Sequence, residues 1–132
     1  MKSRRYSLIR LKRNSSASVA VEFALLLPVY IAFMFGIIEF GRMIWIRNTM
    51  EFAAETAARY GAITSGATDA TVAAYATAQL IGVDPATVDF ITGTTIGAST
   101  VTVVGTYNFT TFISAFVPIP ATTLTVTATF AR

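Results

Sequence analysis

Residues 19–38 read VAVEFALLLPVYIAFMFGII, an apolar run interrupted only by Glu22 and Pro28. At 1.5 Å rise per residue, roughly twenty such residues in a helix cross a hydrocarbon layer of about 30 Å. Lys2, Arg4, Arg5, Arg10, Lys12 and Arg13 precede the run, with no acid before Glu22. The positive-inside rule therefore places the N-terminus in the cytoplasm and everything after the run outside it. Trp45 follows the far end, at a depth suited to an interfacial aromatic. A cleaved secretory signal is the rival reading. Its apolar region is shorter and closes on a small-x-small site, whereas EFGRMIWIRNTMEF follows here.

Composition agrees with a membrane anchor on a small domain. Of 132 residues, 54% are hydrophobic and 13% charged, too apolar for an ordinary soluble domain. The net charge of +3 is unevenly spread: from residue 18 onward, four arginines face seven carboxylates. A basic leader on a mildly acidic body gives no reason to expect nucleic acid as a partner. Cysteine and histidine are both absent, which excludes disulfides, Ser-His-Asp and Cys-His chemistry, and the usual zinc ligand sets. No cofactor or metal is expected. Outside the helix only Asp69, Asp84 and Asp89 could serve a carboxylate-based site, and their positions read as a cap, a turn and a strand. The chain is not expected to be an enzyme.

Glu22 has two readings. A carboxylate inside a membrane helix is unfavourable by roughly 2.5–3.5 kcal/mol. Either it lies close enough to the cytoplasmic face to reach the headgroups, or a positive charge on another chain meets it.

The segment SASVAVEFALLLPVYIAFMFGIIEFGR, residues 16–42, resembles the start of the TadE-like family, the pseudopilins of tight-adherence (Tad, type IVb-like) pilus systems of bacteria. A basic leader, a small residue, VEFALLLP, and then Gly36, Glu39, Gly41 and Arg42 follow in the family's order. The resemblance implies prepilin-type processing between Ala17 and Ser18, with Ala where the family usually has Gly. Glu22 and Phe23 are then the fifth and sixth residues of the mature chain. It further implies that the new amine at Ser18 meets the Glu22 carboxylate of a neighbouring subunit, so that Glu22 sets the stacking register. A buried pair is tolerable where a lone charge is not. The implied partners are a prepilin peptidase, other pilin or pseudopilin subunits, the inner-membrane assembly platform and the lipid bilayer. The implied role is in pilus assembly, adhesion and biofilm formation. The alternative is a membrane-anchored accessory subunit that never enters a filament.

Pro28 removes a backbone donor from the helix, so a bend or loosened turn is expected there; Pro is also simply common in membrane helices. Beyond the run, Met43, Ile46, Met50, Ala53, Ala57 and Tyr60 recur at helical spacing and mark a face that packs on the outer domain. Arg47–Glu51 and Glu55–Arg59 are four apart and of opposite charge. One helix over about 19–61 follows. Asp69 reads as the N-cap of a second helix over 70–81, with Gly82 at its end. After Asp84-Pro85 the period changes to two, giving strands over 86–92, 99–109 and 122–131. The apolar SAFVPIP segment, residues 114–120, connects the last two. The expected fold is α+β: a long N-terminal helix, a short second helix and a three-stranded antiparallel sheet with helices on one face. The expected organisation is a basic leader over 1–17, the pilin-like helix over 18–61 and a small extracytoplasmic domain over 62–132. The abundant threonines read as β-branched filling of strand faces rather than as glycosylation sites.

Overall fold

The computed structural model describes residues 15–115 and 119–132, with side chains over 18–114 and 119–132. Most of the basic leader and the centre of SAFVPIP lie outside the described residues. Packing divides the chain between Phe35 and Gly36.

Helix α1 spans Ser15–Ile63, two residues longer at its far end than the stripe required. As far as Phe35, every described side chain on it is exposed. The helix is unbroken at Pro28, although the Ala24 carbonyl there has no N–H four residues on.

From Gly36 onward α1 belongs to the folded unit that contains the sheet. Ile46, Met50, Ala53 and Ala57 are buried, and Met43 and Tyr60 are partly so. Ala54 and Ala58 are buried as well and widen the face. Their small side chains let other elements approach. Gly61 takes this furthest: a Cβ there would lie 2.8 Å from a Val72 methyl and 3.0 Å from one of Val101. Tyr60 stacks on Tyr75 with ring centroids 4.3 Å apart.

Helix α2 spans Asp69–Ala78 and buries Val72, Ala73 and Ala76. Its N-cap is Thr68, not Asp69. Thr68 and Thr71 exchange side-chain-to-backbone hydrogen bonds in a capping box, each hydroxyl accepting from the other's N–H. Asp69 is thereby free to accept from the Ile96 N–H at 2.9 Å, tying the first turn of α2 to the sheet. The helix ends three residues short of the sequence expectation. Gly82 lies beyond it with φ +70, a left-handed conformation natural to glycine.

The sheet is antiparallel, and its central strand is β3, Thr100–Phe109. Strand β4, Thr122–Ala131, pairs with β3 along its whole length, from Thr100↔Ala131 to Phe109↔Thr122. The expected first strand over 86–92 is instead split. Pro85–Thr87 form a 3-10 turn capped by Asp84, and two short strands follow on the other side of β3: β1, Val88–Asp89, and β2, Thr95–Ile96. The cause is local. Asp89 folds back to accept from the Ile91 and Thr92 amides, and Phe90 leaves the ladder for the core. The Phe90 ring occupies the space where a side chain at Gly105 would be: a Cβ there would lie 2.4 Å from the ring. Odd-numbered β3 residues and even-numbered β4 residues face the helices, with Val101, Val103, Val126 and Ala128 buried. The opposite face carries the exposed threonines of β4.

Candidate functional site

Two places on α1 carry the residues singled out by sequence. The first is the exposed stretch before Gly36. The Ser18 hydroxyl donates to the Glu22 carboxylate at 3.4 Å, one helical turn away, and that is the only contact of this carboxylate among the described residues. Phe23 beside it is exposed. Ala17 lies within the α1 backbone. Nothing within the chain neutralises Glu22 among the described residues, so its charge is left to the surroundings of the helix.

The second is the Gly36–Arg42 motif, and here the chain closes on itself. Glu39 is only 6% exposed. Arg42, one turn later, donates through Nε at 3.1 Å and Nη2 at 2.9 Å to one Glu39 oxygen. The other oxygen accepts from the Phe112 backbone N–H, and Arg42 Nη2 also donates to the Thr110 carbonyl. The guanidinium lies over the rings of Phe109 and Phe112, at 4.3 and 4.8 Å from their centroids. A planar fork can hold a carboxylate, a carbonyl and two ring faces together; an ammonium could not. The two side chains clamp α1 to the end of β3. Because the carboxylate and guanidinium are hydrogen-bonded on both sides, their burial is tolerable. Gly36 and Gly41 take no part: a Cβ at either would meet nothing within 4 Å. Sequence reasoning paired neither Glu39 nor Arg42 with anything. Their mutual pairing lies at a helical spacing of three, within reach of a spacing rule. Their other partners are backbone groups some seventy positions away, which no such rule can reach.

The aspartates have structural work. Asp84 accepts from the Ala86 N–H at 3.0 Å, and Asp69 from Ile96. Asp89 accepts from the Thr92 hydroxyl at 2.7 Å and from the Ile91 amide at 2.8 Å, and these bonds, with that of the Thr92 amide, hold its carboxyl below the usual carboxylate range. Among the described residues no three Asp or Glu side chains converge on a metal-sized site. One helix, over the part from Ser18 to Ile63, is long and apolar enough to cross a membrane.

The family model described as TadE-like protein matches residues 17–59. No curated protein and no solved structure matches the chain. Over that segment, about a third of the chain, it is similar to TadE-like proteins. The matched segment contains Ser18, Glu22, the apolar run, the clamp residues of α1 and most of its buried face.

Proposed function

We propose that the chain is a pseudopilin, or minor pilin, of a Tad-type pilus. It is anchored in the bacterial inner membrane by the apolar run of α1, with its N-terminus cytoplasmic and the domain over 62–132 periplasmic or extracellular. Prepilin peptidase cuts between Ala17 and Ser18, removing the basic leader that would resist movement out of the membrane. The mature subunit then joins other pilin subunits at the assembly platform and contributes to the pilus used for adhesion and biofilm formation. The role is structural, not enzymatic. The observation that carries this reading is the TadE-like match over residues 17–59, which begins beside the proposed cut.

The chemistry of Glu22 supports it. An exposed carboxylate on an apolar helix, with only a hydroxyl beside it among the described residues, is stabilised when a neighbouring subunit brings an amine. The Ser18 amine created by cleavage is such a group. Pro28 fits the same picture, since a helix missing one backbone bond adjusts its curvature more readily as neighbours pack on it.

The test is the N-terminal residue and intact mass of the protein from native membranes, with and without prepilin peptidase. A peptidase-dependent start at Ser18 is expected. An uncut N-terminus under both conditions would instead assign the chain as an anchored accessory subunit outside the filament.

A further inference from the structure

The two sides of β3 are finished differently. On one side β1 and β2 contribute two residues each, and the Phe90–Thr94 excursion between them blunts that edge. On the other side β4 runs unbroken over Thr122–Ala131, with no proline, glycine or charged residue in it. The Arg132 N–H donates to the Ser99 carbonyl at 2.9 Å, which sets the alternation of the ladder. The backbone groups of Thr123, Thr125, Thr127, Thr129 and Ala131 therefore point away from β3. Among the described residues none of them has a partner.

An open groove of about 360 Å³ runs beside this edge, between β4 and the Glu55, Ala58 and Arg59 side chains of α1. Glu55 and Arg59 have the spacing of the Arg47–Glu51 pair, which closes at 3.0 Å, yet they do not pair. Arg59 instead lies 5.5 Å from the centroid of the Phe130 ring. The groove thus presents one acid and one base, a helical turn apart, beside a row of unused backbone donors and acceptors.

The direction of the groove follows from contacts already described. Gly61 packs on Val101 and Arg42 on Phe109, so β3 runs against α1 and β4 runs with it. A strand added antiparallel to β4 passes Arg59 first and Glu55 second. One turn of helix, about 5.4 Å, is close to two strand residues, about 6.8 Å.

We propose that β4 is a docking edge that accepts an extended segment of another protein as an added antiparallel strand. That segment carries an acidic residue and, two positions later, a basic one on its α1-facing side. Strand addition supplies affinity through the main chain, and the charge order supplies selectivity. A second copy of this chain does not fit, because nowhere in its 132 residues does a basic residue follow two positions after an acidic one. The proposal is independent of the pilin reading, since it requires neither cleavage nor Glu22.

The experiment uses the full chain in detergent and two fluorescein-labelled peptides, Val-Thr-Glu-Thr-Lys-Thr-Val-Thr and its charge-swapped form Val-Thr-Lys-Thr-Glu-Thr-Val-Thr. Fluorescence anisotropy should give about tenfold tighter binding of the first. The double variant Glu55→Arg with Arg59→Glu should reverse that preference. Thr127→Pro removes an outward N–H and no bond to β3, so it should weaken binding by about tenfold while leaving the thermal melt unchanged. Should that variant not fold, the charge-reversal variant decides. Equal binding of the two peptides, binding of neither, or an unreversed preference overturns the proposal. So does a concentration-dependent dimer that Thr127→Pro abolishes, which would give the edge to a second copy.

Discussion

Glu22 and Glu39 are carried by the same helix and are satisfied in opposite ways. Glu39 is buried with both oxygens engaged, by Arg42 on one and the Phe112 amide on the other. Glu22 is exposed and, among the described residues, touches only the Ser18 hydroxyl. One carboxylate is completed by the chain's own fold and the other is left for something outside it. An acid at an apolar surface is thus no single signal: what completes it decides whether it serves stability or association.

The sharpest way to break this contrast is to remove each acid in turn. Glu22→Ala should leave the unfolding free energy within about 0.5 kcal/mol of wild type. On the pilin reading proposed above, it should also lower the subunit's share in purified filaments about a hundredfold or more, as loss of a buried pair would. Normal incorporation on quantitative immunoblots would remove Glu22 from assembly. Glu39→Ala should do the reverse to stability, lowering it by about 2–4 kcal/mol in denaturant titration, because Arg42 and the Phe112 amide lose their acceptor.

Smaller changes refine the internal half of the comparison. Arg42→Lys keeps the charge but loses the fork and the ring stacking; a loss of about 1–2 kcal/mol is expected, and full stability would mean that charge alone holds the clamp. Thr68→Ala, far from either glutamate, should lower stability by about 1 kcal/mol through the lost capping box. The smallest effect concerns Asp89. Its carboxyl titrates below its ordinary value in the folded chain, so its contribution is complete above the ordinary carboxylate range. That contribution disappears as pH falls through the lowered value. Asp89→Asn should therefore lower the melting temperature slightly at neutral pH, leave the most acidic end nearly untouched, and so flatten the acid limb of the profile. An unchanged acid limb would show that the turn forms without the charge.

Periodicity served well wherever one element faces one core. The stripe from Met43 to Tyr60 named the buried side of α1, and the alternation over 122–131 gave β4 its residues and its buried face. It failed where a side chain bonds locally. Thr68 displaced Asp69 as N-cap because the Thr71 hydroxyl three residues beyond it completes a capping box. Residues 86–92 alternate like a strand, yet Asp89 captured the amides that a strand would have used. Glu55 and Arg59 have pairing distance in sequence, but the Phe130 ring draws the guanidinium away. The residues of the Gly36–Arg42 motif were legible as a group through the family resemblance, and the spacing of Glu39 and Arg42 allows their pairing, whereas the hold of this clamp on the sheet was not legible. Its partners at Thr110 and Phe112 offer only backbone atoms and ring faces, which leave no trace in spacing or charge.

The Glu39–Phe112 bond joins positions 73 apart, with Glu39 the earlier made. At about 5–20 residues per second of synthesis, the carboxylate waits roughly 4–15 s for the amide that will take it. Through that interval it lacks the partner that closes the clamp. The turn just beyond β3 is what completes it, so the clamp marks the moment at which the long helix and the sheet cease to be separate folding problems.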